Sequence, residues 1–192
     1  MSLTTNLQPG QNADAPTASR SSLARRTGEG PVPLTPMQEQ IWFHTQLNPE
    51  QAVYNSPIGV RLQGPLHPSA LETALNDLVR RHDALRLRFS APDGRPCQEA
   101  APAESVSVSL LLTDLSGVPA DQRDAEVDQR IRAEVRRPLD LENGILVRAA
   151  LYRLDPEDHI LVVTTHHLVM DGWSKNRFRQ DLAELYAAAL NG

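Results

Sequence analysis

The sequence predicts an α/β sandwich in which helices pack on a mixed β-sheet. Amphipathic helices alternate along the chain with segments whose apolar residues recur at every second position. The order helix, strand, helix, strands, helix, strands, helix fits a two-layer arrangement. Hydrophobic residues make up 40% of the 192 residues and aromatic residues only 4%, so one core is expected and it should be mostly aliphatic.

The first helix is predicted at "PLTPMQEQIWFHTQL". Thr35 and Gln38 have the spacing of a capping box, and Pro36 occupies the first helical position. One face of this helix is expected to be apolar, with Met37, Ile41 and Trp42. Trp42 is assigned to the core.

A strand and a second helix follow. In "SPIGVRLQG" apolar and polar residues alternate, which predicts a half-buried strand with an inner face of Ile58, Val60 and Leu62. In "HPSALETALNDLVRRH" Ser69 and Glu72 suggest another capping box. The apolar stripe of this helix comprises Leu71, Ala74, Leu75, Leu78 and Val79.

Two further strands are predicted before the third helix. "ALRLRF" alternates, which places Leu85, Leu87 and Phe89 on the core face and Arg86 and Arg88 on the opposite face. "APDGRP" is a turn, and "SVSVSLLL" is the second of these strands.

The C-terminal half begins with a charged helix at "PADQRDAEVDQRIRAEVRR", whose thin apolar stripe is Val127, Ile131 and Val135. "GILVRAALYRL" and "HILVVTT" are predicted strands joined by a turn at "DPED". The second is apolar on both faces, as a central strand would be. A last helix is predicted from Ser174, with an inward face of Phe178, Leu182, Leu185, Tyr186 and Ala189.

Composition restricts the possible functions. The net charge is -5 and no basic stripe stands out, which argues against a nucleic-acid partner. Cys97 is the only cysteine, which favours a cytoplasmic location, and no apolar stretch is long enough to span a membrane. Residues 1–32 have few large apolar residues and are predicted to be a disordered tail or linker, with the folded domain at 33–192.

The stretch "TTHHLVMDGWS", residues 164–174, carries the candidate chemistry. Successive side chains of a strand point to opposite faces, so His166 and His167 should diverge and only one can face a cavity. A histidine there can exchange protons near neutral pH. Asp171 could orient that histidine or pair with an arginine, and the second is favoured. Gly172 allows a tight turn or close approach by a ligand.

The residues alone leave other interpretations open. Both histidines could be structural, at the end of a buried strand. A metal site is disfavoured, because two histidines on opposite faces cannot bind one ion and no cysteine or third histidine lies nearby. Trp173 is expected to anchor the turn, His82 to cap or pair locally, and His44 and His159 to be surface residues. Cys97 has no base beside it.

Several motifs together resemble the condensation domains of nonribosomal peptide synthetases, in the superfamily of chloramphenicol acetyltransferase. "HHLVMDGWS" matches their HHxxxDG signature, and "LTPMQEQIWF", with Gln38 and Trp42, is similar to their opening motif. "YNSP" resembles the next segment, and "RRHDALRLRF" resembles an Arg-His-Glu-x-Leu-Arg motif, with Asp83 in place of Glu. "RPLDLENGILVRAALYRL" and "FRQDLAELYAAALNG" are also similar, so that the resemblance covers residues 33–192.

The resemblance implies a mechanism. Donor and acceptor carrier proteins bring thioesters on phosphopantetheine arms into a tunnel, where the acceptor amine attacks the donor thioester and forms an amide. His167 would face the tunnel, as general base or to position the amine and stabilise the intermediate. Asp171 would be structural through a salt bridge, assigned to Arg86, and Gly172 would keep the channel open. His166 and Trp173 are assigned structural roles, and no bound cofactor or metal is expected.

The resemblance covers one lobe of a two-lobed domain with a chloramphenicol-acetyltransferase-like fold. The C-terminal lobe is expected to be absent, and the isolated lobe is expected to be inactive. Two alternatives stay open: a non-catalytic module that binds a carrier protein or partner lobe, and an HHxxxDG acyltransferase that self-associates. The substrates cannot be read from the sequence.

Overall fold

The computed structural model describes residues 30–142 and 146–191, which form two β-sheets and four α-helices. Only the last three residues of the predicted tail, 1–32, are among the described residues. The helices are α1 Pro36–Leu47, α2 Pro68–Arg81, α3 Ala120–Val135 and α4 Gly172–Asn191. The strands are β1 Val32–Pro33, β2 Asn55–Gln63, β3 Leu87–Ser90, β4 Cys97–Ala100, β5 Leu110–Asp114, β6 Val147–Asp155 and β7 Asp158–His166.

The larger sheet has the strand order β2-β7-β6-β5. β7 pairs antiparallel with both β2 and β6, whereas β5 runs parallel to β6, so the sheet is mixed, as the sequence predicts. β6 and β7 form a hairpin that turns at residues 156 and 157, inside the predicted "DPED" turn. β7 therefore lies in the interior of the sheet, which explains why it is apolar on both faces.

Helices cover both faces of this sheet. α2 and α4 pack on one face, where their apolar stripes contact Ile58, Leu161 and Val163. On the other face, Val127 of α3 packs against Tyr152 and other buried residues of β6 and β7. The predicted α/β arrangement of helices on a mixed sheet is confirmed, and α3 adds a layer on the second face.

The predicted stripe of α2 forms the centre of the first core. All five of its members are buried, and Ala74, Leu75 and Leu78 have no exposed surface. Burying a leucine side chain of this kind contributes about 1.5–3 kcal/mol. α2 therefore holds a fixed position against the sheet and offers a rigid support to α4.

The smaller sheet, of order β1-β4-β3, does not follow from the sequence patterns. β1 has two residues and β4 reads "CQEA", which lacks the alternation that marks a strand. The predicted strand "ALRLRF" starts only at Leu87, because Asp83–Arg86 form a 3-10 turn. Of "SVSVSLLL", only the part from Leu110 onward is a strand.

One of the two predicted capping boxes is present and the other is not. The capping box of Thr35 and Gln38 is present in α1. The predicted box of Ser69 and Glu72 is wrong, because Pro68 begins α2 and His67 occupies the cap position without a side-chain bond. Ser69 is already inside the helix, and the Glu72 carboxylate accepts a hydrogen bond from the Leu110 amide instead, at 3.4 Å.

Two further predictions about the helices need correction, one about a buried face and one about a helix start. Met37 does not share the buried face of α1, because 65% of its surface is exposed, whereas Ile41 is buried. Met37 directly follows the helix's first residue, where no described element covers it. α4 begins at Gly172, two residues before the predicted Ser174.

Candidate active site

The end of β7 separates its two histidines. The His166 amide donates to the Leu146 carbonyl, beside β6, at 3.3 Å. The His167 amide donates to the Tyr54 carbonyl, beside β2, at 2.9 Å. Because consecutive residues bond to opposite neighbouring strands, their side chains diverge, as alternation predicts. The His166 side chain is buried, with 3% of its surface exposed, and His167 is exposed.

His166 is held neutral inside the fold. Burial and the neighbouring His167 lower its pKa to about 4. Its Nδ1 atom accepts a hydrogen bond from the Leu168 amide at 3.2 Å, so the ring carries its hydrogen on Nε2. The Tyr54 ring lies 6.1 Å away, between centroids. The hydrogen bond from the Leu168 amide to His166 holds the backbone that follows β7 in place.

His167 presents one ring nitrogen to the surface. Its Nδ1 atom lies 2.9 Å from the carbonyl oxygen of Met170, three residues later. A carbonyl oxygen only accepts hydrogen bonds, so Nδ1 carries the hydrogen and donates it. In the neutral ring, Nε2 then has a free lone pair. The turn after β7 thus fixes both the orientation and the tautomer of an exposed imidazole.

Asp171 caps α4. Its Oδ1 atom accepts hydrogen bonds from the Ser174 amide at 2.8 Å and from the Ser174 hydroxyl at 2.7 Å. The hydrogen bonds from Ser174 hold the pKa of the Asp171 carboxyl below its ordinary value. An acidic residue at this position also interacts favourably with the helix dipole. The carboxylate therefore fixes the junction between the His167 turn and α4.

The predicted salt bridge between Asp171 and Arg86 is wrong. Arg86 lies in the 3-10 turn before β3, where its guanidinium bonds to the carbonyls of Val79 and Ala101 and pairs with the Asp83 carboxylate. Only 8% of Arg86 is exposed. Alternation does not apply to Arg86, because the residues before β3 are not extended.

Gly172 has an open position at the start of α4. Its φ angle is not in the left-handed region, so no tight turn requires a glycine here. A Cβ added at this residue would meet no atom within 4 Å. The sequence allowed two roles for Gly172, a tight turn or close approach by a ligand. The geometry does not require the first and leaves space for the second.

Trp173 and His159 are placed differently from prediction, and His82 agrees with its prediction only in part. Trp173 does not anchor the turn, because 87% of its surface is exposed. His159 is not a surface residue: it lies in β7 and is 4% exposed. His82 occupies the cap position after α2, as one of its two predicted roles requires, but its Nε2 atom pairs with Asp181 of α4, at 2.7 Å, rather than with a local partner. All three outcomes depend on tertiary packing, which alternation cannot report.

Asp181 is a polar residue of this region that the sequence patterns did not single out. It has no exposed surface, and its carboxylate contacts His82 and Arg177. Burial raises its pKa, but the hydrogen bond from His82 and the positive charge of Arg177 outweigh that effect, so the pKa lies below its ordinary value. Helical spacing could have identified it as a buried acidic residue, since Asp181 follows Phe178 by three residues on the inward face of α4.

Neither a metal-like cluster nor a membrane-spanning helix occurs among the described residues. In residues 30–142 and 146–191, no three His, Cys, Asp or Glu side chains converge as they would around a metal ion. Nor does this part of the chain contain a helix with the length and apolarity needed to cross a membrane.

Comparisons with known proteins agree with this fold. The family model "Condensation domain" matches residues 28–192. The chain is 37% identical over 186 residues to a component of the linear gramicidin synthase of Brevibacillus parabrevis. It is 40% identical over 168 residues to phosphinothricin tripeptide synthetase PhsC of Streptomyces viridochromogenes. This chain belongs to the condensation-domain family of nonribosomal peptide synthetases.

Solved structures show the same relationship. The starter condensation domain of rhizomide synthetase RzmA superposes with a TM-score of 0.77 at 29% identity. The first condensation domain of the calcium-dependent antibiotic synthetase gives 0.77 at 31% identity. Each match covers 85% of this chain and 39% of the solved chain. The sequence matches cover 97% and 88% of this chain but only 4% of the gramicidin synthase component and 15% of PhsC.

Proposed function

We propose that residues 33–192 form the N-terminal lobe of a condensation domain and supply His167 to amide-bond formation between two carrier-bound thioesters. One observation carries this proposal: His167 is exposed, with Nδ1 bound to the Met170 carbonyl and Nε2 open. An imidazole fixed in this way can accept a proton at a defined point.

The proposed reaction is an acyl transfer to nitrogen. The acceptor amine attacks the carbonyl carbon of the donor thioester, forming the C–N bond and a tetrahedral intermediate. His167 Nε2 accepts the proton that the nitrogen loses, and the C–S bond breaks as the intermediate collapses. The imidazolium returns the proton to the departing thiolate, so the histidine ends the cycle neutral. The Met170 carbonyl accepts from Nδ1 throughout and stabilises the imidazolium.

The remaining site residues support this step. Asp171 caps α4 and fixes the turn that contains Met170. Gly172 leaves space at the start of α4 for the end of a phosphopantetheine arm. His166 stays neutral and buried, and we assign it no proton transfer. No bound cofactor enters the scheme, since the carriers deliver both substrates covalently.

The proposed partners are donor and acceptor carrier proteins and a second lobe that completes the tunnel. An alternative partner, a second copy of this chain, is favoured by exposed apolar side chains near the site and on α1. Trp173 is 87% exposed, and Met37, Phe43 and Leu47 are 60–65% exposed. Such side chains are typical of surfaces that another polypeptide covers.

Light scattering after size exclusion, followed by an amide-forming assay with two loaded carrier proteins, tests these assignments. We expect the 192-residue chain to be an inactive monomer and to gain activity when it is joined to a second lobe. An active oligomer would instead support the self-associating acyltransferase. Carrier binding by a lobe that stays inactive when joined to its complement would support the non-catalytic module.

A further inference from the structure

The His82–Asp181–Arg177 cluster lies behind the proposed catalytic turn. We infer that Asp181 is a positioning residue for His167, which acts by fixing the first turns of α4 against the end of α2. This inference rests on the proposed function of His167. It assigns a task to a buried carboxylate that the reaction itself does not use.

Asp181 joins two helices through a carboxylate that has no exposed surface. Its Oδ2 atom accepts from His82 Nε2 at 2.7 Å, and its Oδ1 atom lies 2.8 Å from the Arg177 guanidinium. The Oδ1 contact is an ion pair without hydrogen-bond alignment. His82 is the residue that ends α2, and Arg177 is one turn before Asp181 on α4. The carboxylate therefore specifies the register of α4 along α2.

The cluster connects to His167 through a shared pocket. His82 and Arg177 line a pocket of about 150 Å³ whose other walls include Met170 and Ser174. Met170 provides the carbonyl that holds His167 Nδ1, and Ser174 provides the hydrogen bonds that hold Asp171. A shift of the first turns of α4 would therefore move the acceptor that orients the imidazole.

Stability alone does not explain an aspartate at this position. Its neighbours on the inward face of α4, Phe178 and Leu182, are apolar and buried. An apolar residue there would avoid the desolvation cost of a charge, and replacing buried ion pairs by apolar residues is often neutral or stabilising. What a directional carboxylate adds is a single allowed register between two helices.

Nitrogen-15 NMR of the histidine side chains in the 192-residue chain tests the inference directly. The wild-type spectrum should show His167 as the Nδ1–H tautomer. In Asp181→Asn a neutral amide replaces the carboxylate that pairs with His82 and Arg177, and we expect the His167 signals to shift towards a mixture of tautomers. His166, whose partner is the Leu168 amide, should keep its signals.

A matched control separates positioning from loss of stability. Leu182→Ala removes a buried neighbour on the same helix face and touches neither His82 nor Arg177 through a polar contact. It should lower the melting temperature at least as far as Asp181→Asn does, yet leave the His167 tautomer unchanged. Equal effects of the two variants on His167, or no effect of Asp181→Asn, would overturn the inference.

A second variant covers failure of Asp181→Asn to fold. His82→Leu removes the partner of Asp181 at the end of α2 while Arg177 still pairs with the carboxylate, and its side chain is 33% exposed, so the fold should survive. It should move the His167 signals in the same direction as Asp181→Asn, and unchanged signals would refute the inference. Amide formation by His167→Ala would refute the proposed function and leave this NMR result standing, so the two failures are distinguishable.

Discussion

Adjacent histidines at the end of β7 have different surroundings because of strand alternation. His166 faces inward, loses its hydration and becomes a neutral acceptor for the Leu168 amide. His167 faces outward and is oriented by the Met170 carbonyl. The sequence predicts the divergence, since it depends only on β geometry. It does not predict the Met170 contact, because this depends on how the backbone turns after the strand.

Titration of His166 should make stability depend on pH. Its pKa falls from an ordinary 6.5 to about 4 on folding, so between these values the unfolded chain binds more protons. Stability is fully present above pH 6.5 and is lost as the pH falls towards 4, by at most about 1.4 kcal/mol per pH unit. Urea unfolding at several pH values measures this slope.

The matched variants for this titration are His166→Gln and His67→Gln. His166→Gln should flatten the slope between pH 6.5 and 4, whereas His67→Gln, which changes an exposed histidine, should keep it. A wild-type slope in His166→Gln would show that another group titrates.

Gly172→Ala tests whether the space at the start of α4 serves a substrate. The new methyl group meets no atom within 4 Å, and Gly172 does not have a positive φ. The melting temperature should therefore be unchanged or slightly higher, since alanine restricts the unfolded chain. Amide formation in the two-lobed protein should fall. Full activity with a normal melting temperature would argue against substrate approach at this residue.

At the scale of elements, sequence spacing predicted helix caps and helix faces correctly where the interacting residues are close in sequence. The Thr35 capping box and the α2 stripe follow from spacing and are confirmed. The partner of Arg86 could not be predicted, because the turn at Asp83–Arg86 removes the alternation from which its direction was inferred. β1 and β4 were missed since strands of two and four residues carry little periodicity.

The Asp171 cap is expected to stabilise the start of α4. Asp171→Ala removes the acceptor for both Ser174 hydrogen bonds and should lower the melting temperature. Asp171→Ser should restore most of the loss, because a serine hydroxyl also caps a helix. Calorimetry compares the two variants. A loss in Asp171→Ser as large as in Asp171→Ala would indicate that the carboxylate charge, rather than the cap, stabilises the turn.

At the scale of the whole molecule, the site lies where a central strand meets the start of a helix. The alternation and amphipathic patterns were sufficient for the α/β class, and the HHxxxDG match together with the neighbouring motifs was sufficient for the family. Strand order was not predictable, because β2 pairs with β7 through contacts distant in sequence, such as that of Asn55 with His166. The partner of Asp181 was not predictable for the same reason, since His82 is 99 residues away in sequence.

The central claim is that His167 performs the proton transfer of amide formation. Its most direct measurement is the single-turnover rate of amide formation between two loaded carrier proteins, in the two-lobed protein carrying His167→Ala. His67→Ala, which changes an exposed histidine at the start of α2, is the control. We expect a loss of about 10²–10⁴-fold in His167→Ala with an unchanged melting temperature, and a normal rate in the control. A rate near that of the wild type in folded His167→Ala would contradict the account.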